Sequence, residues 1–411
     1  MRNRVMWALS AAAFVVGLMW VLTPGLLPWH SAPVWSSGVF GIASASLMMS
    51  PLLAAGAAWQ MHRLKVAGAW TAPHVRPRIV IALAPLIPAV VSALAASLAL
   101  WLVVGPQLSG SPTPWERASA IALLPLLLLA NTAVGAVLGA LLRPVVALPV
   151  SAIGVWAVAA YPISMMPFNW RHMAGIHMSC CSINDAVAPA AVIGPVLATC
   201  AVLAAALLIL AGGPGRRLPL GIGAAVAVSG LASSWFVVSD LGPDPVVDRP
   251  RSALVCVDSS RVEVCVWQQN ASALPAAARA VDAVVRGLSD VNVSVPSVAS
   301  EGRDPEWWFA VSADSDDEDR LHAVATGLVT PGRSPACADA GQPWLTATMH
   351  PALIAWVVLR AGGNPDRLAE LVTPDVVAYA REKAALPAAD QAEWFEANRR
   401  IAADCGVEPI W

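Results

Sequence analysis

The sequence predicts an all-α polytopic membrane bundle of about seven transmembrane helices over residues 1–240, followed by a small α+β soluble domain over residues 241–411. Three observations carry that expectation. Seven apolar stretches of roughly bilayer-crossing length fill the first part of the chain. Charge is divided unevenly: residues 1–238 hold eleven of the 25 Lys and Arg but two of the 27 Asp and Glu, whereas residues 239–411 hold fourteen basic and twenty-five acidic residues. Six of the seven cysteines fall on one side of the arrangement set out below. The chain as a whole is 13% charged, against roughly 25% for soluble domains.

A helix needs about 20 apolar residues to cross the hydrocarbon core. The stretches that qualify are Val5–Leu22, Trp35–Met61, Ile79–Val104, Ala118–Leu142, Val145–Met165, Ala186–Ala211 and Leu218–Val238. The first follows Arg2 and Arg4 as a signal peptide would. Its apolar run is too long for a signal core, however, and TPGLLPWH makes no small-x-small cleavage site, so it is expected to be retained.

Basic residues in short loops set orientation. A cytoplasmic N-terminus places Arg2, Arg4, Arg63, Lys65, Arg76, Arg78, Arg143, Arg216 and Arg217 inside, against Arg117 and Arg171 outside. Seven crossings then leave the C-terminal domain extracytoplasmic. Trp35, Trp59, Trp101, Trp115, Trp170 and Trp235 fall near span ends, where interfacial aromatics belong.

No Asp, Glu, Lys or Arg lies deep in a span, which argues against a proton- or ion-coupled transporter. Asn131 is the most polar residue at mid-depth and is expected to make an interhelical hydrogen bond. Pro51, Pro85, Pro88, Pro125, Pro149 and Pro195 interrupt helical hydrogen bonding within the spans. Gly135 and Gly139 have the GxxxG spacing that permits close helix approach.

Cys200 lies in the sixth span and is expected to pack as a small apolar residue. Cys180, Cys181, Cys256, Cys265, Cys337 and Cys405 all fall outside, where an even number of cysteines implies disulfides. The segment ALVCVDSSRVEVCVW alternates like two strands turning at Asp258–Ser260, which would set Cys256 opposite Cys265 and leave Cys337 for Cys405.

An amphipathic helix is expected from Ser272, as N-cap, to Leu288. Short strands are expected at Val291–Val295 and Trp307–Val311. The acidic run Asp314–Asp319 leads into a helix from about Glu318 to Leu328, where acid complements the dipole; its spacing does not suit an EF-hand. Further helices are expected at Pro351–Ala361, Pro365–Leu371, Pro374–Ala385 and Ala388–Ala403.

There is no GxxxxGK[ST] loop, no HExxH and no GxSxG, so neither an enzyme nor a cofactor is expected. The acidic C-terminal domain argues against nucleic acid. His172, His177, Cys180 and Cys181 in RHMAGIHMSCCSIND are donors that could hold zinc or copper. Adjacent cysteines cannot easily face one metal, and an oxidising compartment favours a disulfide there, so no metal is expected.

The stretch SASLMMSPLLAAGAAWQMHRLKVAGAW, followed by RPRIVIALAPLIPAVVSALAASLALW, resembles the permease-like membrane proteins of actinobacteria that are related to the type-2 ABC exporter permeases. VCVWQQNASALP, with WRH and the cysteine pair upstream, is similar to members carrying an extra C-terminal domain. The resemblance implies a first cytoplasmic loop that docks on a separate ATP-binding cassette subunit. Here that loop would be His62–Arg78, with Arg63, Lys65, Arg76 and Arg78 as contacts. It further implies a homo- or heterodimer in the lipid bilayer that moves or senses an amphipathic substrate. A seventh span, beyond the usual six, would export the tail. The other function class left open is a membrane-anchored extracytoplasmic sensor or binding protein without transport.

Overall fold

The computed structural model describes residues 4–27, 34–70, 76–108, 112–177, 180–181, 184–213, 216–259, 261–302, 307–311, 315–329 and 349–403. The chain divides into two compact units, Met1–Asp248 and Arg249–Trp411.

Among the described residues the first unit contains seven helical segments long and apolar enough to cross a membrane: Arg4–Leu22, Trp35–Val66, Arg78–Gln107, Pro114–Leu141, Pro144–Ser164, Pro189–Gly212 and Arg217–Val237. Helix α1 spans Arg4–Leu22. The second crossing is built from α2 (Trp35–Ala43) and α3 (Ala45–Val66), which meet at Ser44. There the Ser44 hydroxyl donates to the Gly41 carbonyl at 2.6 Å and accepts from Trp20 Nε1 at 2.9 Å, tying the joint to α1. The third crossing joins α4 (Arg78–Leu83) to α5 (Ile87–Val104) through a 3₁₀ turn at Ala84–Leu86. Pro85 and Pro88 lack the N–H groups that a continuous α-helix would need there.

Helix α6 (Pro114–Leu141) opens with a capping box in which Thr113 Oγ1 accepts from the Glu116 N–H and Glu116 accepts from the Thr113 N–H. Buried Glu116 is thereby spent on the helix start. Helix α7 (Pro144–Ala160) and the short α8 (Asn169–Ala174) follow. Helices α9 (Pro189–Gly212) and α10 (Arg217–Val237) complete the bundle.

Helices α3 and α6 form its centre. At Gly135 a β-carbon would collide with the Ala54 backbone, and at Gly139 with the Ala58 backbone. The GxxxG pair therefore lets two main chains touch. Beside that contact Asn131 Nδ2 donates to Ser50 Oγ at 2.9 Å, the expected interhelical bond. Helix α7 packs on α3 and α6, whereas α9 packs on α6 and carries α10 on its far side.

The sixth crossing begins at Pro189 rather than Ala186, because β1 (Asp185–Val187) pairs antiparallel with β2 (Val246–Asp248). This pairing brings residues beyond the last crossing back onto the bundle, so the first unit ends at Asp248. Cys200 does not pack inside; it is a free thiol exposed on α9.

The second unit is a four-stranded sheet of order β3-β4-β5-β6 with helices packed around it. Strands β3 (Leu254–Ser259) and β4 (Val262–Trp267) form the expected hairpin, though it turns after Ser259 rather than at Asp258. Cys256 sits opposite Cys265, and the two form a disulfide. Strands β5 (Val298–Ser300) and β6 (Trp307–Trp308) add in parallel. The apolar stretch Val291–Val295 is not a strand; Val291 and Val293 are buried from a turn and the extended segment after it. Of Trp307–Val311, two residues pair in the sheet.

Helix α11 (Leu274–Ser289) starts after a 3₁₀ segment that includes Ser272, so Ala273 and not Ser272 is its N-cap. Helices α12 (Asp317–Val329), α13 (Met349–Arg360), α14 (Pro365–Leu371), α15 (Pro374–Ala384) and α16 (Ala388–Ala403) fall where hydrophobic periodicity predicts. Their core is continuous with the sheet and includes Val264, Val266, Val281, Trp307, Phe309, Trp356 and Phe395.

Candidate functional site

The candidate site of the first unit is a cleft of about 220 Å³ among α6, α7, α8, α9 and α10. Leu127, Ala130 and Asn131 of α6 form its floor. Val158 and Ala159 of α7, with Pro162 beyond it, form one wall; Ala198, Thr199 and Val202 of α9, with Leu231 of α10, form the other. Because α7 packs on α3 and α6 while α9 and α10 pack on each other, the two walls leave an opening between them. Val158, 73% exposed, and Leu231, 38% exposed, flank it.

The roof of the cleft is α8 and the residue after its cap: Trp170, Met173, Ala174 and Ile176 face it. Gly175 ends α8 at φ +67°, and a β-carbon there would press on Pro195 of α9 and Leu123 of α6. Glycine meets both demands, positive φ and close approach. Trp170 packs edge-on against Trp235 at 5.1 Å, which ties the roof to α10.

Two polar groups reach this apolar space. The Thr199 hydroxyl donates to the Pro195 carbonyl at 2.7 Å, and its oxygen keeps acceptor capacity. Asn131 donates to Ser50, and its carboxamide oxygen takes no hydrogen bond among the described residues. The cleft is thus apolar apart from the Asn131 oxygen and the Thr199 hydroxyl.

On the other side of α8 the chain is clasped. Arg171 donates to the Pro243 carbonyl at 2.9 Å, His172 Nε2 bonds the Gly242 carbonyl at 2.8 Å, and the Ala188 N–H donates to the Pro245 carbonyl. His177 lies against Phe40 at 4.7 Å and His172 at 5.1 Å between ring centroids. Burial holds the His172 imidazole below its ordinary pKa, opposed by the bond to Gly242 and aided by Arg171. Burial drives His177 well below, with His172 and Arg171 adding to the effect. Cys180 and Cys181 are joined to each other by a disulfide.

At the opposite end of the bundle the predicted loop residues take particular places. Residues His62–Val66, including Arg63 and Lys65, continue α3 instead of forming a separate helix. Lys65 Nζ donates to the Leu141 carbonyl at the end of α6, at 3.3 Å. Arg78 donates to the Trp70 carbonyl at 3.5 Å and lies beside Gly213, after α9. Arg76 is exposed. The ends of α3, α4, α6 and α9 thus share one basic face.

In the second unit, Glu301 joins elements that the sequence did not connect. One carboxylate oxygen accepts from the Trp267 N–H at 2.8 Å; the other accepts from Asn270 Nδ2 at 2.9 Å and the Val311 N–H at 3.0 Å. Burial raises its pKa, opposed by those three donors and by Arg249, whose guanidinium also lies over Trp267. No pattern around Glu301 marks it, since its partners come from three separate segments.

The acidic run is held by protein groups. Asp316 accepts from the Asp319 N–H, Arg367 pairs with Asp316, Asp319 and Glu370, and Arg320 pairs with Asp317. Cys256, Glu263 and Cys265 lie within ligand distance of one another. The disulfide removes both thiolates, and with them the case for a metal there. Cys337 and Cys405 lie outside the described residues.

No curated protein and no solved structure matches this chain. Residues 264–405, about a third of the chain and lying within the second unit, match a family model described as a domain of unknown function (DUF7224).

Proposed function

We propose that the chain is the membrane-spanning, permease-type subunit of an exporter. It takes an amphipathic substrate from the bilayer, and a separately encoded ATP-binding cassette subunit supplies the energy. The observation that supports this reading is the lateral cleft, whose apolar walls carry the Asn131 oxygen and the Thr199 hydroxyl. None of its lining residues is ionisable, which favours an external energy source over ion coupling through the cleft.

In this reading the N-terminus is cytoplasmic and the second unit extracytoplasmic. The placement of basic residues and the two disulfides support that orientation. The basic face with Arg63, Lys65, Arg76 and Arg78 then meets the ATPase, and the cleft opens toward the outer leaflet. Helices α6 and α9, which carry Pro125 and Pro195 in their interiors, border the cleft and would change tilt as the partner closes. The working form is a dimer.

A second reading, a membrane-anchored extracytoplasmic sensor or binding protein, is favoured by one observation. Lys65 and Arg78 are engaged with carbonyls of their own chain, and no separate coupling helix stands among the described residues.

Purification of the tagged chain from its native membrane separates the two. The permease reading expects an ATP-binding cassette subunit to co-elute. It also expects charge reversal at Arg63, Lys65, Arg76 and Arg78 to abolish co-elution without loss of membrane insertion. A chain that elutes without any such subunit, after cross-linking in the membrane, refutes the permease reading.

A further inference from the structure

The buried histidine pair behind α8 is unexplained by the cleft. His172 is 0% exposed and His177 4%. The partner of His172 Nε2 is the Gly242 carbonyl, which can only accept, so Nε2 carries the ring proton. In the neutral ring Nδ1 is then a lone-pair donor, and it is buried without a hydrogen-bond partner. His177 Nε2 is likewise buried without a partner. Buried polar atoms are seldom left so, and here two of them belong to rings whose centroids are 5.1 Å apart, close enough to share one ligand. An imidazole whose other nitrogen donates to a backbone carbonyl is the usual arrangement of a metal-ligating histidine.

The donor set selects the ion. Cys180 and Cys181 are bonded to each other and offer no thiolate. Among the described residues no third His, Cys, Asp or Glu joins the pair as a ligand. Zinc takes four ligands and calcium or magnesium six or more. Two neutral imidazoles suit a monovalent ion that accepts low coordination and nitrogen donors, which is copper(I). The adjacent Arg171 guanidinium also penalises a divalent ion more than a monovalent one.

We propose that His172 and His177 form a binding site for copper(I), ligated through His172 Nδ1 and His177 Nε2, on the face of α8 opposite the cleft.

The test uses the full chain in detergent, loaded with copper(I) under ascorbate, with silver(I) as a redox-inert probe and zinc(II) as the comparison. After desalting, one copper or silver per chain is expected, with zinc not retained. His172→Phe and His177→Phe should each lower retention at least tenfold. X-ray absorption of the loaded wild-type chain keeps the proposal testable should those variants not fold, and it should show nitrogen donors. Sulfur donors in that spectrum, undiminished retention in folded variants, or no copper or silver on the wild-type chain would each overturn it.

Discussion

At the scale of single residues, the second unit is organised by Glu301. Its carboxyl is buried, and it accepts from three N–H groups, two at the end of β4 and the 3₁₀ turn after it and one at Val311. Burial sets the direction of its pKa shift, upward from the ordinary carboxylate value. A raised folded pKa means that the folded chain holds the proton more tightly than the unfolded chain does. The stability this contributes is complete below the unfolded pKa and is lost as pH rises through the folded value. Thermal unfolding followed by tryptophan fluorescence should therefore show a midpoint that falls with rising pH across that window. Glu301→Gln should remove the dependence. It should also cost about 1–3 kcal/mol, because an amide NH₂ would face a backbone N–H that now has an acceptor. A variant as stable as the parent would show that the three bonds are not what holds these segments.

At the scale of elements, close helix approach and strand register are the features to test. Helices α3 and α6 touch through Gly135 and Gly139. Gly135→Val would push a branched side chain into the Ala54 backbone, which has no rotamer by which to yield. A cost of about 3 kcal/mol or more is expected, read as a lowered unfolding midpoint or aggregation in detergent. In the β3–β4 hairpin, Cys256→Ser with Cys265→Ser should cost about 2–3 kcal/mol, the range expected for a short closed loop. Native-state proteolysis of the hairpin would report it.

These elements were unequally legible. Hydrophobic runs locate all seven described helices of membrane-crossing length, because a helix able to cross a bilayer has to be apolar along its length. The cysteine hairpin is legible because alternation fixes register. Ser272 misled because a 3₁₀ segment precedes α11, and side-chain identity alone cannot tell a cap from the turn before it. Val291 and Val293 misled because buried valines in a loop look like strand residues. The cleft left no local signal: its lining is assembled from five helices, and of these residues only Asn131 and Trp170 stand out in the sequence, neither as part of a site. The pairing of β1 with β2 joins residues some 60 apart through two crossings, so the start of the sixth crossing could not be placed from its own composition.

At the scale of the whole molecule, every proposed role follows from which side each loop occupies. The basic face can meet an ATPase only in the cytoplasm, and the Cys256–Cys265 disulfide persists only outside it. The cleft faces the outer leaflet only if α8 lies there too. The most direct test is protease access to a tag fused after Trp411. The account predicts that the tag is cleaved in intact spheroplasts and protected in inside-out vesicles. Protection in spheroplasts with cleavage in inside-out vesicles would contradict it.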